Sequence, residues 1–144
     1  MSRSRPKIPT TVAQRVREEA RGRCGYCLCS EILVGMPMEI EHIIPQALGG
    51  ETTYNNLWLS CRRCNGFKGF LISGIDPSTG GEARLFNPRQ EDWAEHFSWS
   101  INGIEIIGLT PTGRATVEAL KLNNKIITTA RRLWVSVGWW PPID

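Results

Sequence analysis

The residues best able to do chemistry are cysteines. Five occur, Cys24, Cys27, Cys29, Cys61 and Cys64, and four of them pair by spacing as Cys-x2-Cys, in "CGYC" and "CRRC". Such knuckles suit a tetrahedral zinc ion held by four thiolates, a closed site whose role is structural. The stretch between the pairs, Leu28 to Ser60, exceeds the ~15–20 residues of an ordinary zinc ribbon and must fold into something of its own. Redox thiols or plain core cysteines are the competing readings; two matched pairs in one small chain weigh against both. Cys29 is left as a free thiol without a role. Inside the long gap lies "EHIIPQALGG", with Glu41 beside His42. An imidazole can move a proton near neutral pH. The two residues therefore read either as a polar pair at a strand end or as a base beside a metal-ligating carboxylate.

Positioning these groups falls to a short series of elements. Thr10 or Thr11 can cap a helix running to about Arg21, with Val12, Val16 and Ala20 as its apolar stripe and Gly22 as its stop. "MEIEHII" has strand character and Pro45 ends it. "QALGGETTYNN" is a loop, "NLWLS" a second strand, and "CRRCNGFKGFL" the start of a helix weakened by Gly66 and Gly69. The order is strand, loop, strand, helix, with a cysteine pair at each end. In a regular strand Glu41 and His42 point to opposite faces, so both can serve one site only where the strand breaks or bulges. Beyond Ser73, "GIDPSTGGEA" reads as a turn-rich linker. "HFSWSINGIEIIG" reads as a hairpin about Asn102–Gly103. Thr110 and Pro111 open one helix, and a last helix runs from about Asn124 to Gly138. The fold class expected is α+β. Residues 1–9 form a basic arm, 10–72 a core with the cysteine knuckles, and 73–144 an extension of a hairpin and two helices packed on that core.

Taken in order, "CGYC", "EHIIP", "GG", "NL", "CRRCN" and a following lysine resemble the HNH endonuclease family in its zinc-stapled form. The resemblance covers roughly Arg23 to Gly69. It implies a ββα-metal (His-Me finger) core with a four-cysteine zinc staple at Cys24, Cys27, Cys61 and Cys64. His42 is the first motif position, Asn56 the second, and Asn65 the third, where many members carry histidine. His42 is then the general base. Glu41, where the family usually has aspartate, and Asn65 are the hard oxygen ligands of a catalytic Mg2+ or Mn2+ ion. Asn56 pins the loop and orients His42, and Lys68, Arg62 and Arg63 contact substrate phosphate. Glu39 reads as a solvated strand residue, His96 as structural, and the tryptophans as core more than as base-stacking groups.

Composition is compatible with this. Hydrophobic residues make up 41% and charged residues 22%, as in a packed globular chain, and the formal charge of +3 is mildly basic. No apolar run approaches the ~18 residues of a membrane span, and "MSRSRPKIPTTVAQR" lacks the apolar core of a secretory signal. The expectation is a cytoplasmic protein with reduced thiols. The leading function is hydrolysis of DNA phosphodiester bonds, on double-stranded DNA, by a one-metal mechanism. The alternatives are a zinc-stapled nucleic-acid-binding module that does not cut, and a redox or metal-sensing thiol protein.

Overall fold

A computed structural model describes residues 7–142. Of the basic arm, Arg3 and Arg5 lie outside the described residues, while Lys7 is exposed. The chain is mixed α and β, with three separate two-stranded antiparallel ladders. Helix α1 spans Thr10–Glu19 and buries Val16, and its C-cap residue Ala20 is buried too. Its cap is Pro9, without a side-chain hydrogen bond, so Thr10 is the first helical residue and not the cap. Arg21 and Gly22 both take positive φ and end the helix. A short helix α2, Glu31–Val34, follows, capped by the Ser30 hydroxyl accepting from the Leu33 N–H.

Strands β1 (Glu39–His42) and β2 (Leu57–Ser60) pair in regular register, with Glu41 opposite Trp58 and His42 opposite Leu57. Leu57 and Leu59 are fully buried. Helix α3, Arg62–Lys68, starts directly from β2 and packs against β1. Strand, loop, strand and helix thus follow in the order expected. The ladder carries no bulge; β1 simply stops at His42.

The segment expected to be a linker is itself a hairpin, β3 (Ser73–Ile75) with β4 (Glu82–Arg84). Three-residue strands give little pattern to read. Their turn is held from outside, by a bidentate ion pair of buried Asp76 with Arg114 at 2.9 Å. A one-turn helix α4 (Trp93–His96) leads into the expected hairpin, β5 (Phe97–Trp99) with β6 (Ile106–Gly108). Helix α5, Pro111–Ala119, is capped by Thr110 accepting from Gly113, and α6, Lys125–Ser136, by Asn124 accepting from Ile127.

One apolar cluster runs through both halves of the chain, from Tyr26, Leu59 and the cysteines to Phe86, Phe97 and Leu122. Trp93 seals the joint by donating its indole N–H to the Tyr26 carbonyl at 2.9 Å. Trp93, Trp99, Trp140 and Trp134 contact one another in succession, tilted or edge to face, at centroid distances of 5.0–5.2 Å, so these four belong to the packing. Among the described residues no helix is long and apolar enough to cross a membrane.

Candidate functional site

The four paired cysteines converge. The Sγ atoms of Cys24, Cys27, Cys61 and Cys64 all lie within 4.8 Å of one another, and all four residues are buried. The first knuckle closes through Leu28 N–H to Cys24 O at 3.0 Å and Cys24 N–H to Cys29 O at 2.9 Å, with Leu28 at φ 64°. Gly25 N–H donates to Leu59 O and ties the knuckle to β2. The second knuckle is the N-terminus of α3 itself, where the Cys61 sulfur accepts from the Cys64 N–H at 3.4 Å. Hydrogen bonds with Cys24, foremost among several, push Cys61 far down and Cys27 and Cys64 up. Cys29 is also buried, its sulfur 3.2 Å from that of Cys27.

Arg63 donates to the Cys27 sulfur at 3.4 Å. Burial would lower its pKa, but attraction to Cys27 and Cys61 leaves it above its ordinary value. Its charge is directed at the sulfurs. Arg62 is exposed, in a separate groove lined by Val34, Met36 and Met38.

At the other end of α3 a cleft of about 210 Å³ is lined by Glu41, His42, Asn65 and Phe70, among others. Glu41 and His42 occupy opposite faces of the ladder yet border one cleft, because it lies across the strand's end. The loop between β1 and β2 builds its wall. Asn56 accepts from the Ile44 N–H and donates to the Ile44 and Glu51 carbonyls, each at 2.9 Å. Gly50 packs so close that a Cβ would overlap the Ile44 carbonyl, so only glycine allows the loop to close here. The His42 Nε2 shares a 2.8 Å hydrogen bond with the Thr52 hydroxyl.

Below His42 sits a polar cluster facing α3. Glu41 is 5% exposed, and burial raises its pKa to about 7 although Lys68 opposes the rise. Its Oε1 has no hydrogen-bond partner among the described residues. The Tyr26 hydroxyl lies against the Glu41 carboxyl but outside hydrogen-bond geometry. Asn65 donates its amide nitrogen to Glu39 Oε2 at 2.8 Å, which leaves Oδ1 as the amide's ligand atom.

Lys68 departs from expectation. It is 2% exposed, donates to the Ile43 carbonyl at 2.9 Å and lies 3.9 Å from Glu41. A lysine on α3 could have faced solvent; the tight packing of α3 on β1 turns this one inward, onto carbonyls at the strand end. It stands beneath the cleft, buried against these partners. Glu39, read from sequence as a solvated strand residue, is instead half-buried and bonded to Asn65; Thr52 and Tyr26 were missed. Glu39 had a signal, because it shares its strand face with Glu41; Thr52 and Tyr26 had none. His96, expected to be structural, bonds Glu91 at 2.9 Å and the Thr110 hydroxyl at 2.6 Å.

Residues 24–70 match the model of the HNH endonuclease family. The chain therefore carries an HNH domain, made of the knuckles, β1, β2 and α3. Among curated proteins it is similar to a Septu protein PtuB of Bacillus thuringiensis, 31% identical over 111 residues that cover 74% of this chain and 38% of that protein. It is also similar to a Septu protein PtuB of Bacillus mycoides (strain KBAB4), 27% identical over 147 residues, covering 84% of this chain and 50% of that protein. The chain thus spans half or less of the length of these relatives. No solved structure matches it.

Proposed function

We propose that this chain is a metal-dependent endonuclease that hydrolyses DNA phosphodiester bonds, with His42 as general base and a structural zinc at Cys24, Cys27, Cys61 and Cys64. The observation that carries the reading is the convergence of Glu41, His42 and Asn65 on one cleft inside the HNH segment. His42 stands at the strand end, where its imidazole can take a proton from a water entering the cleft. Thr52 on Nε2 and the Asn56 clamp on the loop fix where the ring sits. The Glu41 carboxylate and the Asn65 Oδ1 would hold a divalent ion, Mg2+ or Mn2+, and the unpartnered Oε1 supports that fit. When bound, the ion supplies charge neutralisation at the phosphate. Glu39 orients Asn65, and Lys68 holds Glu41 and the strand-end carbonyls in place. We read the setting as cytoplasmic.

Incubating the purified chain with plasmid DNA and Mg2+ or Mn2+, beside His42→Ala, tests this. Cleavage is expected from the parent and a loss of at least ~100-fold from the variant. Equal behaviour of the two preparations removes His42 as the base. DNA retention that weakens with salt, without any cleavage, would instead establish the binding module.

A further inference from the structure

The cleft beside His42 contains no arginine or lysine among its described lining residues. The cations that sequence reasoning would place there are used elsewhere: Lys68 beneath the strand end, Arg63 on the sulfurs, Arg62 in another groove. An aromatic ring stands at the rim instead. Phe70 lines the cleft and is 74% exposed. Gly69 presents it: the residue ends α3 with φ 50° and ψ −121°, a conformation that side chains with a Cβ avoid. Phe67 and Leu71, on either side, are also exposed.

Proteins that grip duplex DNA do so chiefly through arginine and lysine on phosphates. Single strands are held in large part by bases stacking on aromatic rings, which is possible only for a base freed from its own stack. The exposed phenylalanine at the lip of the cleft supplies the aromatic element of the second mode. We propose that Phe70 is a stacking platform for an unpaired base next to the scissile phosphate, so that the preferred substrate is single-stranded or locally unpaired DNA and not intact duplex. This inference rests on the reading of the cleft as a nuclease site. Phe70 is a specificity residue here; it does not take part in the bond-breaking step.

The test uses the full chain carrying His42→Ala, to bind without cutting, and an oligonucleotide with 2-aminopurine as the fluorescent base. The single strand is expected to bind about tenfold more tightly than the matching duplex, with a fluorescence change that reports stacking. Phe70→Ala in that background should cost about tenfold on the single strand and nothing on the duplex. Phe70→Trp should restore binding. Cleavage by the parent protein should show the same preference for the single strand. Because Phe70 is exposed, unfolding is not expected, and circular dichroism checks it. Equal binding by Phe70→Ala overturns the proposal. So does a change in sedimentation in place of DNA binding, which would make Phe70 part of a protein interface. If the parent cuts duplex and single strand alike and Phe70→Ala changes neither, the nuclease reading stands and this one falls. If the parent cuts nothing but the Phe70-dependent stacking signal persists, the nuclease reading falls and with it the placement of Phe70 beside a scissile phosphate, leaving single-strand binding at Phe70.

Discussion

Helix α3 carries two sites at its two ends, and they are built on different principles. At the N-terminus Cys61 and Cys64 meet Cys24 and Cys27 with every sulfur within 4.8 Å of the others and no solvent access to speak of. One residue later, Asn65 turns toward a cleft whose polar groups are already partly engaged: its amide nitrogen with Glu39, Glu41 with Lys68, His42 with Thr52. The first site needs only ligands brought close, and a single ion completes it. The second is an open cleft, and its geometry is held by neighbours and not by closure. The staple stabilises; the cleft depends on what surrounds it.

Breaking the staple is expected to have the largest effect. Cys61→Ser removes a ligand from both the tetrad and the α3 cap, and structural zinc binding is folding energy, on the order of 10 kcal/mol for small zinc modules. Zinc content should drop well below one per chain and the cooperative thermal transition should disappear. Retention of a sharp transition in the zinc-free variant would mean that the apolar core shared with the extension suffices alone. Breaking the cleft's support should be milder. Lys68→Met strands the buried Glu41 carboxyl and two strand-end carbonyls, at about 3 kcal/mol, measured by urea unfolding. Adding Glu41→Gln should recover part of that loss, because the uncompensated buried acid is then gone. The smallest stability effect is expected from Asn56→Ala, about 2 kcal/mol for three hydrogen bonds on a half-exposed loop. There the sharper readout is turnover: cleavage should fall by more than the fraction unfolded accounts for, with zinc content unchanged. If all three variants lost zinc together, the two ends of α3 would not be separable.

Much of the staple could be read from spacing. Cys-x2-Cys is a local signal, since a tight turn can bring both thiols of a pair to one side. The cap at Thr110, the start of the last helix near Asn124 and the Asn102–Gly103 turn were legible for the same reason: each rests on a few adjacent residues. The motif order likewise pointed to Glu41, His42, Asn56 and Asn65 as neighbours. The roles of Lys68 and Arg63 were not legible. A lysine or arginine on a helix looks the same in sequence whether it meets solvent, a carbonyl or a thiolate; only the packing of α3 against β1 and against the sulfur cluster separates these outcomes. The β3–β4 hairpin was hidden because its strands are short and its turn is fixed by Arg114, far along the chain.

By itself, then, the sequence determined the elements of the HNH segment, the four thiols of the staple and the identity of the residues at the cleft, because each is encoded in residue type and short-range spacing. Tertiary structure alone decided how the cleft is supported and which side chains border it. It turned Lys68 inward, spent Arg63 on sulfur, set Glu39 on Asn65 and left Phe70 at the rim. Those outcomes come from long-range packing, in which a buried charge must find a partner wherever the fold supplies one.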